Sequence, residues 1–123
     1  MIVGIGSDLV RLSRFEALLQ RRGDAFARRI LAAAEYREFL AAPHPARFLA
    51  KRFAAKEAAA KALGTGIRDG LRLAHLAVEH DPLGQPRLQL LERAAELGAA
   101  RGVTASHLSL ADEGDYALAF VVL

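Results

Sequence analysis

A chain of 123 residues is the usual size of one domain, so a single domain spanning 1–123 is expected, and its 53% hydrophobic content, weighted toward alanine, permits a subunit interface without demanding one. Cysteine is absent, which excludes disulfides and thiolate metal sites; the apolar start Met1 to Ile5 is too short for a signal peptide, and no apolar run approaches the roughly 20 residues of a membrane span, so a cytoplasmic protein with no membrane partner is expected. The net charge of +3 divides into +5 over residues 1–60 and −2 over 61–123, a skew that favours encounters with an acidic partner without choosing which.

Ile2 to Leu9 reads as a first strand, with glycines that allow close backbone approach, ending at Ser7-Asp8. Ser13 and Asp24 are candidate N-caps for short helices over 14–21 and 25–31, and a third helical stretch, 33–41, stops at Pro43-His44-Pro45. Ala46 to Leu63 has no glycine or proline and is rich in alanine, which predicts one long helix with Gly64 just past its end. Leu73 to Asp81 is a strand candidate, 82–86 a turn, and 90–101 a helix with Leu90, Leu91, Ala94, Ala95 and Leu97 on its apolar side. Val103 to Leu110 and Tyr116 to Leu123, around the turn 112–115, predict a terminal antiparallel hairpin.

On the long helix, at about 100° per residue, Arg47, Lys51, Glu57 and Lys61 share one arc of roughly 120° while Phe48, Leu49, Phe53 and Leu63 share another. Arg52 and Lys56 break the pattern by projecting from the apolar arc. Either they snorkel to solvent, which spacing favours, or that face meets a ligand or another subunit. Glu57 and Lys61, four apart, have the order of a weak helix ion pair, and Asp8 alone reads as a cap of the segment that follows.

Taken together, Gly4-Ile5-Gly6-Ser7-Asp8-Leu9-Val10, the block Arg47 to Ala58 and Lys61-Ala62-Leu63-Gly64-Thr65-Gly66-Ile67 resemble the holo-(acyl carrier protein) synthases, and the similarity continues through Pro86-Arg87-Leu88 and His107 to Glu113. The resemblance implies an α+β fold of the 4'-phosphopantetheinyl transferase type, an antiparallel sheet packed on one long helix plus short helices, assembled as a homotrimer with coenzyme A between adjacent subunits. It implies Mg²⁺-dependent transfer of the 4'-phosphopantetheine arm of coenzyme A to a serine of apo-acyl carrier protein for fatty acid biosynthesis, releasing adenosine 3',5'-bisphosphate. Asp8 and Glu57 match the metal ligands, a set suited to a hard cation that also takes phosphate oxygens. Lys61 matches the lysine beside the phosphates, where it stabilises developing charge, and Asp8, directly or through a metal-bound water, would receive the serine proton. Arg52 and His107 match positions near the adenosine and 3'-phosphate end, and Gly64 a glycine close to the ligand. Arg14, Arg21, Arg22, Arg28 and Arg29 fall in the region that receives the acidic helix of the carrier, with Arg14 the best match and a solvated helix face as the alternative. Ser7 in place of threonine and Arg11 in place of glutamate are departures, and Arg11 reverses a charge near the metal ligand; Ala111-Asp112 stands where some relatives have Ser-His, but the Ala-Asp-Glu version also occurs in the family.

Gly4 and Gly6 do not complete a dinucleotide fingerprint, no Walker loop occurs, and His44, His75, His80 and His107 lack zinc spacing. A non-catalytic nucleic-acid module would use the arginines but gives Asp8 and Glu57 no task and lacks a stacking platform. A transferase serving polyketide or peptide carriers is the nearer alternative.

Overall fold

In the computed structural model, which describes residues 1–123, the chain forms five strands and five helices. They are β1 (Ile5–Arg11), α1 (Leu12–Arg22), α2 (Ala25–Ile30), α3 (Ala33–Ala41), α4 (Pro45–Ala62), β2 (Leu76–His80), β3 (Pro86–Leu90), α5 (Glu92–Ala100), β4 (His107–Glu113) and β5 (Tyr116–Val122). Strands β1, β5 and β4 form an antiparallel sheet in that order, and β2 pairs with β3 in a separate antiparallel hairpin. This is the expected α+β architecture: α4 lies against β1 and β5, and the short helices pack around it.

Small residues set that central contact. Ala54, Ala58 and Ala62, one turn apart, are buried, and Ala117, Ala119 and Val121 are the buried residues of β5, the strand packed on the same helix. On β1 the alternation places Gly4, Gly6 and Asp8 on one face. A β-carbon added at Gly4 would stand 1.9 Å from the Ala62 carbonyl oxygen, and one at Gly6 2.0 Å from that of Ala58. Both distances lie well inside van der Waals contact, so only glycine lets the strand backbone rest on the helix backbone. Around this seam Phe15, Phe26 and Phe53 meet with ring centroids 5.3 to 6.3 Å apart, joining α1, α2 and α4.

Several boundaries depart from expectation. The first strand is displaced to Ile5–Arg11; before it, Val3 and Gly4 both donate to the Leu123 carbonyl and Gly4 accepts from the Leu123 N–H, at the fringe of the sheet. Ser13 is not a cap: α1 starts at Leu12, and the Asp115 carboxylate, from the β4–β5 turn, accepts from the Ser13 N–H (3.0 Å) and hydroxyl (2.9 Å). The cap is thus supplied from 102 residues away in sequence, beyond local inference. Leu73 to His75 form one 3₁₀ turn before β2 begins. Strand β3 went unrecognised between the turn prolines and the helix, which begins at Glu92 and buries Ala94 and Gly98 while Ala95 is exposed. Strand β4 runs on through Asp112 and Glu113, shortening the predicted turn.

Candidate active site at the crossing of the first strand and the long helix

The glycine seam carries a register with it. As Gly4 meets Ala62 and Gly6 meets Ala58, the next inward residue of the strand, Asp8, continues along α4 toward its start. From there its charge acts on Glu57. The Glu57 carboxyl is pushed above the usual carboxylate range, first by burial and then by the negative charge of Asp8, while Lys61 and Arg14 pull it down. The two acids therefore repel one another electrostatically at the strand–helix junction. Asp8 is no helix cap, because Arg11 occupies that position for α1.

Lys61 completes the group, but not as the helix pair its spacing suggested. Its ammonium crosses to β1, donating to the Ser7 carbonyl (2.8 Å) and to Asp8 Oδ1 (3.2 Å). Two of three ammonium protons are thereby used, and the side chain remains 53% exposed, so a third donor is left for an incoming oxygen. No three histidine or acidic side chains converge anywhere in the chain, so a cation at the seam would draw most of its ligands from substrate oxygens and water.

Arg52 and Lys56 correct the expectation that they snorkel. Both are buried, at 4% and 0% exposure, and both are paired with Glu35 of α3, itself 1% exposed. Glu35 accepts from Lys56 (2.5 Å), Arg52 (3.2 Å), the Val78 N–H (3.1 Å) and the Ala32 N–H (2.9 Å). Arg52 also donates to the Val78 carbonyl and Glu38, and Lys56 to the carbonyls of Leu73 and Leu76. Burial pulls the Lys56 ammonium below the ordinary lysine range, and Glu35 opposes that pull. Every buried polar side-chain atom has a partner, as a dry charged network requires. Arg52 keeps one edge on a small cavity that it shares with His44, Arg47, Phe48, Lys51 and His80.

The remaining candidates divide by sheet face. His107 pairs in register with Val122, opposite Ile5, and points outward with Ile5, Ser7 and Leu9, whereas Asp8 points inward. Within one chain His107 and Asp8 are on opposite sides of the sheet. Arg11 is outward too, its guanidinium 5.4 Å from the Tyr116 ring centroid, so the charge reversal it represents does not touch Asp8. Asp112 pairs with Arg47 and Lys51, tying β4 to α4. Gly64 follows α4 with φ +81°.

Among the arginines, Arg21 and Arg22 are exposed and border a groove with Leu18, Ala25, Phe26 and Arg29. Arg28 is engaged within the chain, donating to the Tyr36 hydroxyl (3.0 Å), which in turn donates to Asp24 (2.5 Å). Arg14 lies over Phe15 and Phe53 and acts electrostatically on Glu57, which places it at the rim of the acidic pair. Sequence reasoning missed Glu35. Two cations in an apolar arc require a buried acid, which was a usable signal, though nothing local said which of the acids it was.

Residues 4–121 match the 4'-phosphopantetheinyl transferase superfamily. A holo-(acyl-carrier-protein) synthase of Nitrosococcus oceani is 58% identical over 123 residues, covering 100% of this chain and 80% of that protein. The crystal structure of a holo-(acyl-carrier-protein) synthase from Neisseria meningitidis superposes with a TM-score of 0.93 at 46% identity, covering 99% of this chain and 98% of that one. A Bacillus anthracis holo-(acyl-carrier-protein) synthase in complex with CoA (3',5'-ADP) superposes with a TM-score of 0.82 at 35% identity, covering 100% and 96%.

Proposed function

The chain belongs to the holo-(acyl-carrier-protein) synthases of the 4'-phosphopantetheinyl transferase superfamily, and from that premise we propose that Asp8, Glu57 and Lys61 are the groups with which it moves phosphopantetheine from coenzyme A to a carrier serine, releasing adenosine 3',5'-bisphosphate. The observation that carries the assignment is the hydrogen bond from Lys61 to Asp8 at the glycine seam, with both side chains acting electrostatically on Glu57. The seam fits a hard divalent cation. Both donors are carboxylates, no thiol exists in the chain, and a cation between the acids would offset the burial and the repulsion from Asp8 that together raise Glu57. Mg²⁺ held by Asp8 and Glu57 would supply charge neutralisation on the pyrophosphate oxygens.

The chain's own groups do the rest. Lys61, anchored by Ser7 and Asp8, aims its remaining N–H at the phosphate oxygen on which charge grows. Asp8 accepts the serine proton as the serine oxygen attacks phosphorus and the bond from phosphorus to the bridging oxygen of the leaving nucleotide breaks. Arg52, His107 and Gly64 are assigned to the nucleotide. His107 faces away from Asp8 in its own chain, so it can serve only a neighbour's site, and this supports a homotrimer with shared sites. The outer sheet face supports it further, since Ile5, Leu9, Leu118 and Phe120 are 42 to 61% exposed there, an apolar patch of the kind that partners cover. Arg14, Arg21 and Arg22 are assigned to the acidic carrier, with Arg28 contributing by bracing α2. No helix is long and apolar enough to cross a membrane, and we place the enzyme in the cytoplasm in the service of fatty acid synthesis.

The test is incubation with coenzyme A, Mg²⁺ and apo-acyl carrier protein, with the carrier followed by mass spectrometry. A gain of one phosphopantetheine that disappears when Mg²⁺ is chelated is expected. An unmodified carrier, or modification indifferent to chelation, contradicts the assignment.

A further inference from the structure

The segment Leu63–Gly70 begins two residues after Lys61 and forms neither helix nor strand. Gly64, Gly66 and Gly70 have φ between 63° and 85°, and Asp69, at φ 57°, adopts the same left-handed region without being glycine, a conformation that persists only where surroundings enforce it. Apart from bonds to the end of α4 and to its immediate neighbours, the segment's hydrogen bonds come from one element, α5. Arg101, at its C-terminal end, donates from Nη1 to the Leu63 carbonyl at 2.6 Å. Arg93, in its first turn, donates from Nε to the Asp69 carbonyl at 2.8 Å and is itself oriented by Glu96 at 2.9 Å.

Both arginines also pack on glycine. A β-carbon at Gly64 would stand 2.3 Å from Arg101 Nη1, and one at Gly70 3.6 Å from the Arg93 stem. Arg101 further places a cation at the C-terminal end of α4, where unsatisfied carbonyls and the helix dipole favour one and where helices otherwise fray. The last turn of α4 is the turn that carries Lys61.

We propose that Arg93 and Arg101 are positioning residues, a two-point clamp by which α5 holds Leu63–Gly70 and the final turn of α4 in the conformation that receives coenzyme A. That this segment borders coenzyme A rests on the assignment made above; the clamp itself does not. Neither arginine touches substrate, and each acts through a carbonyl it holds.

The experiment uses the full-length enzyme and the variants Arg93→Ala, Arg101→Ala and Arg101→Lys. In the free enzyme, hydrogen exchange at the amides of residues 63–70 should quicken by about tenfold or more in the alanine variants, with β1 and β5 unchanged, as expected for a local opening. Under turnover, KM for coenzyme A should rise about tenfold while KM for the carrier stays within about twofold, and Arg101→Lys should recover part of the loss. Unchanged exchange in this segment overturns the clamp. Quickened exchange with an unaltered KM for coenzyme A, or equal rises in both KM values, overturns its role in positioning. A wild-type enzyme that loads no carrier sinks the active-site assignment instead, and the exchange measurement then still decides the clamp.

Discussion

Replacing Glu35 by glutamine tests whether the fold is held by the buried charges or merely accommodates them. The amide keeps the shape of the carboxylate but removes its charge and sets an NH₂ donor against the donors of Arg52 or Lys56, which are 4% and 0% exposed. Four hydrogen bonds converge on the carboxylate. Summing them at about 1.5 to 3 kcal/mol each overstates the effect, because the bonds share one group and Glu38 still neutralises part of Arg52. Breaking a buried pair by removing one partner costs about 3 to 5 kcal/mol, and that figure is the prediction. With an unfolding entropy near 2.1 cal/mol/K per residue, about 260 cal/mol/K for this chain, Tm should fall by roughly 12 to 20 °C. Urea denaturation and calorimetry would measure it. A companion variant with Glu35→Leu, Arg52→Met and Lys56→Met should also be less stable than wild type, because it leaves the N–H groups of Ala32 and Val78 and the carbonyls of Leu73, Leu76 and Val78 without these partners. A loss below about 1 kcal/mol for Glu35→Gln alone would refute the reasoning, as would a triple variant as stable as wild type.

Other outcomes follow from the same geometry. Asp8→Ala and Glu57→Ala should each remove more than about 2.7 kcal/mol of transition-state stabilisation, a hundredfold in transfer rate; near-normal turnover in either variant counts against the metal assignment. Arg21→Glu should weaken carrier binding more than coenzyme A binding, and it separates the two more cleanly than Arg14→Glu, because Arg14 also acts on Glu57; equal losses for Arg21→Glu remove the docking role. The Tyr36 hydroxyl, chiefly, and Arg28 hold the Asp24 carboxyl below its ordinary 3.8. Its folded pKa being depressed, the stability it contributes is present above 3.8 and lost as pH falls through the lower folded value. The Tm gap between wild type and Asp24→Asn should therefore be constant from neutrality down to about pH 5 and close in stronger acid; a gap that widens in acid contradicts the sign.

The parts of this enzyme that were legible in its sequence are those set by local composition. The alanine-rich run of 46–63 announces a helix and the glycines at 4 and 6 a strand open to close backbone approach, but that the two meet backbone against backbone is a fact of the tertiary packing. The anomaly at Arg52 and Lys56 was visible as well, but its resolution was not, because Glu35 lies 17 and 21 residues away and only tertiary packing brings it there. Lys61 shows the same limit, since helix spacing pointed to Glu57 whereas the close approach of β1 offered Ser7 and Asp8. The two-fold alternation of β4 fixes the outward face of His107, but which face was outward depended on where α4 lay. Strand β3 was hidden because its pairing with β2 is decided across a turn and Pro86 reads as part of that turn.

The account turns on Asp8 and Glu57 holding one divalent ion between them. Titrating Mn²⁺, a paramagnetic substitute for Mg²⁺, into wild type, Asp8→Asn and Glu57→Gln in the presence of coenzyme A, with bound metal followed by electron paramagnetic resonance, measures that directly. One ion per chain in wild type, with binding lost in each variant, is the predicted result; either variant binding Mn²⁺ as wild type does would contradict it.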